Sequence, residues 1–311
     1  MYIGIDLGGT KIYTALANDN GEIIKEVVIK TEANKGHEQI VDKIKDSIKE
    51  VSKGYELSSV KAIGLGTPGP LDIKRGIIIE PSNLPFVNYP IVNELYKEFK
   101  IDTYIDNDAN VATLAEYMFG YGKGIENMVY VTASTGIGGG AILNGKIYRG
   151  STSNALEVGH TTINTSGRRC GCGNIGCVEA MSSGTAIMKS AQDAVKSRVE
   201  TTLKNYDEVT SKEVFIEASK GDEVSKDILE NALSYLGIAV ANYANILDPD
   251  VIVIGGGIVN GGDIVFNIIN REMKKRCLGT ILNHCKVIPS NLEGKSGVLG
   301  AIALAITESK K

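Results

Sequence analysis

The sequence contains no long apolar segment and no concentration of basic charge. No apolar run reaches the roughly 20 residues that a membrane-spanning helix needs, so we expect no membrane partner. The formal net charge is -4, and Lys and Arg form no stripe, which argues against nucleic acid as a partner. Met1 leads into an apolar strand without a charged region or cleavage site, which favours a cytoplasmic protein without a signal peptide.

Cysteine is scarce, yet three of the five cysteines lie close together: Cys170, Cys172 and Cys177. Disulfides are rare in the cytosol, so this crowding indicates a metal. With His160, which precedes them, they form the closed tetrahedral set of a structural zinc ion. Their spacing is not that of a two-knuckle zinc ribbon, which argues against a DNA-binding finger.

Two common nucleotide-binding motifs are also missing. No Walker A sequence occurs, and Gly8-Gly9 opens a return strand, whereas a Rossmann motif would open a helix. What the sequence does show is strands alternating with helices, the pattern of an α/β protein. Helices are predicted over 37–52, 232–247 and 263–276, with a buried strand at 251–254.

The sequence pattern at the start of the chain recurs later in the chain. A strand, a glycine turn with a threonine and a return strand occur first around Gly8-Gly9 and again around Ile137-Gly138, about 129 positions later. Since 311 residues suffice for two domains, we expect two related ones. The first should span 1–118 and be completed by a C-terminal helix over 298–311; the second should span 119–297 and include the zinc loop.

The two glycine turns are candidate phosphate-binding loops. Glycine lets backbone N–H groups approach phosphate oxygens, and a neighbouring hydroxyl or lysine adds a donor or positive charge. Asp6 would repel phosphate, so its expected task is to hold Mg²⁺, through water. One such turn alone could equally be an ordinary β-hairpin turn. Two such turns favour binding of a polyphosphate from both sides. The residues expected to contact the nucleotide and its Mg²⁺ are Asp6, Gly8, Gly9, Thr10, Lys11, Thr135, Gly136, Gly255, Gly256 and Gly257.

Asp108 is the candidate catalytic base. It lies where a strand gives way to a helix, and phosphoryl transfer to an alcohol needs a carboxylate that accepts the hydroxyl proton. Asn107 beside it would bind the acceptor. The alternative is that these residues simply cap the helix. Glu157 and Glu179 flank the zinc set, and folding around zinc would bring both carboxylates to one pocket.

Together these motifs resemble the ROK family of sugar kinases, repressors and open reading frames. The resemblance covers nearly the whole chain through 6–11, 66–69, 107–110, 135–140, 157–160 and 170–179. It implies an actin-like, ribonuclease-H-like fold with two facing domains and a cleft, ATP with Mg²⁺, and a dimer or tetramer. It also implies sugar contacts from Asn83, Asn107, Asp108, Glu157, His160 and Glu179.

Three departures from the family pattern lie in or beside the predicted binding sites. Leu156 and Ser134 stand where glycine is usual, and residues 86–89 replace the usual glycine and tryptophan.

We expect an ATP-dependent hexose kinase that converts glucose to glucose 6-phosphate. The alternatives are a kinase for an N-acetylhexosamine, mannose or fructose, a non-catalytic sugar-binding regulator, and a nucleotide-binding structural protein. A repressor would need a helix-turn-helix before the loop that begins at Asp6, and a structural protein would lack the zinc block.

Overall fold

The computed structural model describes residues 1–292 and 294–310, which form an α/β fold. The strands are β1 (Tyr2–Leu7), β2 (Lys11–Ala17), β3 (Ile23–Lys30), β4 (Ala62–Thr67), β5 (Leu71–Asp72), β6 (Ile77–Ile78), β7 (Thr103–Asn107), β8 (Met128–Ala133), β9 (Ile137–Leu143), β10 (Lys146–Ile147), β11 (Val251–Gly255) and β12 (Lys286–Pro289). The α-helices are α1 (His37–Ser52), α2 (Ile91–Phe99), α3 (Asp108–Phe119), α4 (Val178–Ser182), α5 (Gly184–Lys196), α6 (Ser211–Lys220), α7 (Glu223–Leu247), α8 (Asp263–Arg276), α9 (Gly279–His284) and α10 (Ser296–Glu308). Short 3-10 turns lie at Ala33–Lys35, Leu57–Ser59, Val158–His160, Thr202–Asn205 and Gly257–Gly261.

The chain divides into two compact units. Unit 1 comprises 1–125, 140–155 and 291–311, and unit 2 comprises 126–139 and 156–290. Helix α10 lies in unit 1. Residues 119–125, 140–155 and 291–297, which the sequence predicts in the second domain, cluster with unit 1. Segment 140–155 is held in unit 1 in part by Arg149, because the Arg149 guanidinium pairs with Asp106 and Glu308 of that unit.

The sheet of unit 1 has the strand order β3-β2-β1-β4-β7. Strand β2 is antiparallel to β1, whereas β1, β4 and β7 are mutually parallel, with Asp6 opposite Gly66 and Gly66 opposite Asp106. The carboxyl ends of the parallel strands therefore meet at one edge, where ligands bind in α/β sheets. Asp6 and the Asp106–Asp108 segment both lie at that edge.

Helices on unit 1 pack through complementary apolar surfaces. Helix α1 buries Ile40, Val41, Ile44, Ile48 and Val51, the face that the sequence periodicity predicted. Helix α10 approaches the sheet closely, because a Cβ on Gly64 would lie 1.9 Å from the Ala301 carbonyl oxygen. This close contact packs the buried helix α10 directly against the middle of β4, an interior strand of the sheet.

In unit 2 the strand order is β9-β8-β11-β12. Strand β8 is parallel to β11, which is parallel to β12, and all of β11 is buried. Strand β9 begins in unit 2 and its last four residues belong to unit 1, where it pairs with β10. The segment 190–226 contains the end of α5, all of α6 and the start of α7. Within the described residues, no helix is both long and apolar enough to cross a membrane.

Candidate active site

The first glycine turn of unit 1 is tightly closed. The Gly8 N–H donates to the Lys11 carbonyl at 3.0 Å, and the Thr31 hydroxyl donates to the Gly8 carbonyl at 2.7 Å. Thr10 and Lys11 are exposed beside the turn. The structure therefore presents a hydroxyl, a cation and a turn between β1 and β2, as a phosphate-binding loop requires.

Asn83 lies against this turn. A Cβ on Gly9 would lie 3.2 Å from both the Asn83 Nδ2 and its carbonyl oxygen, so glycine permits the close approach. The loop that carries Asn83 is anchored by Phe86, which is fully buried and lies 5.5 Å between ring centroids from Tyr89. Phe86 and Tyr89, two of the residues that depart from the family pattern, thus anchor the Asn83 loop to the core of unit 1.

Asp6 occupies the end of β1. Burial raises the pKa of its carboxyl to about 6; the Lys11 charge lowers the pKa, and the Asp108 charge raises it further. A carboxyl with such a raised pKa, near a second carboxylate, is stabilised in its charged form by a cation. Asp6 therefore offers a hard oxygen ligand of the kind that Mg²⁺ prefers, and Asp108 adds negative charge nearby.

The Asp106–Asp108 segment joins β7 to α3. The helix cap is Asn107, whose Oδ1 accepts from the Ala109 N–H at 2.9 Å. Asn107 is thus the residue that caps α3. Its side-chain Nδ2 group can still donate a hydrogen bond to a ligand. Asp108 is the first residue of α3, and its Oδ1 accepts from the Ala109 N–H at 2.8 Å.

Asp108 has the electrostatics of a proton acceptor. The residue is exposed at the surface, yet the surrounding protein desolvates the carboxylate and raises its pKa, while the backbone N–H groups of Ala109 and Asp108 lower it. Perturbed carboxyls at the ends of strands are typical of functional sites. The structure therefore places an accessible carboxylate oxygen at the edge where β1, β4 and β7 end.

The second glycine turn, in unit 2, is joined to α5. The Gly184 N–H donates to the Ser134 carbonyl at 2.7 Å, and the Thr185 hydroxyl donates to the Thr135 carbonyl at 2.8 Å. Ser134, which departs from the family pattern, is exposed and fits this turn. Gly136 lies against Glu179, since a Cβ on residue 136 would be 2.5 Å from the Glu179 Oε2.

A cavity of about 660 Å³ opens beside this turn within unit 2. Apolar side chains form much of its wall, with hydroxyl, amide and lysine groups among them. Its lining residues are Ser134, Thr135, Gly184, Thr185, Met188, Thr210, Ser211, Lys212, Phe215, Ile216, Gly257, Ile258, Asn260 and Gly261. A pocket that combines apolar surface with several polar side chains is typical of a small-molecule site.

The three glycines after β11 have different surroundings. A Cβ on Gly255 would lie 2.2 Å from the Tyr130 hydroxyl, and a Cβ on Gly256 would lie 2.4 Å from the Ala133 carbonyl oxygen. Gly257 lines the cavity. Packing against β8 thus accounts for Gly255 and Gly256, and we retain Gly257 as the glycine that would contact a nucleotide.

The predicted metal ligands converge. One ligand atom from each of His160, Cys170, Cys172 and Cys177 lies within 4.8 Å of the others. The Cys172 and Cys177 sulfurs are 3.6 Å apart, and the Cys170 sulfur is 3.7 Å from the His160 Nδ1. A tetrahedron with Zn–S bonds of about 2.3 Å has S–S edges of about 3.8 Å, so the cluster fits zinc.

Local structure builds this cluster. The Cys170 N–H donates to the Asn174 carbonyl at 2.8 Å, which closes the loop between the cysteines. Gly176 has a φ of 69°, and a Cβ there would lie 1.5 Å from the Asn164 carbonyl oxygen, so only glycine fits. Burial, with the neighbouring Cys172 and Cys170, raises the pKa of Cys177 to about 12. A metal ion would have to displace that proton.

Glu157 and Glu179 border the cluster. Glu157 directly precedes the 3-10 turn Val158–His160, and Glu179 lies in the first turn of α4. Glu179 accepts from the Ile137 N–H through Oε2 at 3.0 Å, and its Oε1 is 3.8 Å from the Cys170 sulfur. Leu156, just before Glu157, has a φ of 62°, a conformation that glycine adopts without strain, which explains the usual glycine there.

Sequence reasoning missed several supporting residues. Tyr243 on α7 donates its buried hydroxyl to the Val158 carbonyl at 2.8 Å, and Tyr235 accepts from the Asn164 amide at 2.8 Å. Met188, Lys212 and Phe215 line the cavity. No sequence motif marks these positions, because they reach the site only through packing of helices distant along the chain.

Comparison with known proteins agrees with this geometry. The ROK family model matches residues 2–308, and the chain belongs to the ROK family. A glucokinase of Halalkalibacterium halodurans is 35% identical over 96% of this chain and 93% of its own. A xylose repressor of Caldicellulosiruptor bescii is 32% identical over 98% of this chain and 78% of the repressor.

A solved structure extends the likeness to the fold. The ROK glucokinase of Streptomyces griseus, in complex with glucose and AMPPNP, has a TM-score of 0.82 and 30% identity. The match covers 98% of this chain and 99% of that one. The predicted actin-like class of fold is thus confirmed.

Proposed function

We propose that this chain is an ATP-dependent sugar kinase that transfers the γ-phosphoryl group to glucose, forming glucose 6-phosphate. The observation that carries the proposal is Asp108, whose raised pKa and accessible carboxylate oxygen suit a general base. Membership of the ROK family and the likeness to glucokinases support the same conclusion.

The chemistry assigned to Asp108 is proton acceptance. As the sugar hydroxyl oxygen forms its bond to the γ-phosphorus, the bond from that phosphorus to the ADP oxygen breaks. The hydroxyl proton passes to one oxygen of Asp108. Its other oxygen is anchored by the Ala109 N–H at the first turn of α3, which keeps the carboxylate in one orientation.

The nucleotide is assigned to the cavity of unit 2. Phe215, Met188 and Ile258 supply apolar surface for the base, and Thr135 leads from that cavity to the glycine turn. This apolar wall supports a nucleoside triphosphate as the donor, because a bare polyphosphate would gain nothing from it. In unit 1, Gly8, Gly9, Thr10 and Lys11 form the proposed phosphate-binding turn.

Mg²⁺ is assigned to Asp6, with Asp108 nearby. Burial and the nearby Asp108 charge raise the pKa of Asp6, so a hard divalent cation bound there would stabilise its charged form. When bound, Mg²⁺ would neutralise negative charge on the phosphates. The protein's contribution is to keep Asp6 at the end of β1, within a buried and rigid strand.

Sugar recognition is assigned to two sets of polar side chains, one in each unit. In unit 1 these are Asn83, Asn107 and Asp108; in unit 2 they are Glu157, His160 and Glu179. A zinc ion bound by His160, Cys170, Cys172 and Cys177 would hold the loop between Glu157 and Glu179. A homo-oligomer and a cytoplasmic location also belong to this proposal.

A coupled assay of ADP release tests the function. Purified protein is incubated with MgATP and, in turn, glucose, mannose, fructose, N-acetylglucosamine and N-acetylmannosamine. We expect glucose to give the highest kcat/KM. Preference for another sugar would keep the chemistry and change the substrate. Sugar binding by calorimetry without turnover of any sugar would instead favour a regulator, as the likeness to a xylose repressor allows.

A further inference from the structure

Arg149 joins two acidic residues that lie behind the proposed base in unit 1. Its Nε donates to the Asp106 Oδ2 at 2.6 Å, and its terminal NH2 group donates to the Glu308 Oε1 at 3.0 Å. The Asp106 side chain is 0% exposed and that of Arg149 is 19% exposed. Asp106 is therefore a buried carboxylate whose charge is matched by this arginine.

The second oxygen of Asp106 organises the start of α3. Its Oδ1 accepts from the Asn107 N–H at 2.8 Å and from the Asn110 Nδ2 at 2.8 Å. Asp106 thus ties the last residue of β7 to the first turn of α3. Asn107 and Asp108, the proposed sugar ligand and base, lie on this short bridge.

We propose that Arg149 is a positioning residue for phosphoryl transfer. It pairs with Asp106 and fixes the orientation of that carboxylate, and Asp106 in turn holds the backbone that carries Asn107 and Asp108. The inference rests on the proposed function, because Arg149 acts only through these two residues. Without the arginine, the buried carboxylate would lose its cationic partner and turn towards water, and its hold on the Asn107 N–H or the Asn110 amide would be lost.

The geometry requires arginine in particular. One planar guanidinium contacts a carboxylate at the end of β7 and another on α10, through nitrogens that point in different directions. Lysine has a single ammonium group on a flexible stem, so it cannot reproduce both contacts in the same fixed arrangement. A lysine at this position should keep the charge and lose part of the orientation.

The test compares Arg149→Met, Arg149→Lys and the double variant Asp106→Asn/Arg149→Met. For Arg149→Met we expect kcat to fall about 10–100-fold, because a small displacement of a reacting group costs that much. The KM for glucose should rise, while the KM for ATP should stay within about twofold. The double variant should recover much of kcat, because the neutral amide still accepts the hydrogen bonds without a buried charge.

Arg271→Met is the matched control. Arg271 also pairs with carboxylates on two helices, Glu230 and Glu272, away from the proposed catalytic groups. It should lower thermal stability with little effect on kcat or KM. Circular dichroism at the assay temperature establishes that each variant is folded, and Arg149→Lys carries the comparison if the Met variant is not.

Two results would overturn the inference. One is a folded Arg149→Met protein with a lower melting temperature but unchanged kcat and KM, which means a purely structural role. The other is a double variant no more active than the single one. A wild type inactive on every sugar would contradict the proposed function itself, whereas an active wild type with a near-normal Arg149→Met protein would contradict only the role of Arg149.

Discussion

Gly297, in the first turn of α10, leaves the space that the Asp6 carboxylate occupies. A Cβ on residue 297 would lie 2.3 Å from the Asp6 Oδ2 and 2.5 Å from its carboxyl carbon. The side chain proposed to hold Mg²⁺ is thus positioned by a residue almost 300 places away in the sequence. The relationship offers a way to move one carboxylate without replacing it.

Gly297→Ala should displace Asp6 and lower activity. We expect the dependence on Mg²⁺ to shift to higher concentrations and kcat to fall about tenfold or more, as for other small displacements of catalytic groups. Initial rates over a range of free Mg²⁺ measure this. Gly279→Ala is the control, because nothing lies within 4 Å of a Cβ there. Unchanged Mg²⁺ dependence would mean that Asp6 moves without consequence.

Asp108→Asn should remove most activity. Loss of a general base lowers kcat by about 10²–10⁴, whereas the amide keeps the shape of the side chain and one acceptor, so the affinity for glucose should change much less. Steady-state kinetics and glucose titration by calorimetry separate the two quantities. Asp102→Asn, at an exposed position just before β7, should behave as wild type. If the Asp108 variant kept a near-normal kcat, Asp108 would belong to helix capping alone.

Asp6 should make stability depend on pH. Burial raises its pKa to about 6, so the native state keeps this proton to higher pH than the unfolded chain does. Stability from this group is therefore lost as the pH rises from about 4 to about 6, by at most about 3 kcal/mol.

Asp6→Asn should accordingly stabilise the ligand-free protein at pH 7.5, by about 1–3 kcal/mol, while abolishing activity. Most of the gain should disappear near pH 4, where the native carboxyl is protonated and about half of the unfolded chains carry the proton as well. Urea unfolding of both proteins at the two pH values measures the difference, with Asp102→Asn as the exposed reference. An equal gain at both pH values would assign the effect to packing and leave the charge without a role.

Zinc should be present at about one ion per chain and should matter for sugar use. Cys172→Ala is expected to lower the zinc content and raise the KM for glucose, because Glu157 and Glu179 border the metal loop. ATP affinity measured without sugar should be nearly unchanged. Metal analysis and kinetics of Cys172→Ala and the control Cys277→Ala provide the comparison. A fully active protein free of metal would show that these cysteines are ordinary thiols.

Phe215→Ala should weaken nucleotide binding. The side chain forms part of the apolar wall of the unit 2 cavity, and its loss is expected to raise the KM for ATP about tenfold, or about 1.4 kcal/mol. The KM for glucose should be little affected. Val199→Ala, at an exposed position in the same unit, is the control. An unaffected KM for ATP would place the base elsewhere.

Much of the local structure could be predicted from the sequence. The apolar spacing in α1 and α8, the strand 251–254 and both glycine turns lie where the pattern placed them. The sequence also limits how far the sulfurs of Cys170, Cys172 and Cys177 can separate, because the three cysteines share one short loop. These features depend on neighbours in the chain, so the order of residues alone determines them.

Tertiary structure decided what lies behind and around those motifs. Gly297 against Asp6, Arg149 against Asp106 and Tyr243 against the Val158 carbonyl are contacts between elements far apart in sequence. The unit limits likewise follow from packing, which draws residues 140–155 into unit 1. Side-chain identity defines what a residue can do, but burial, charge and reach depend on which distant element packs beside it, and no local pattern encodes that choice.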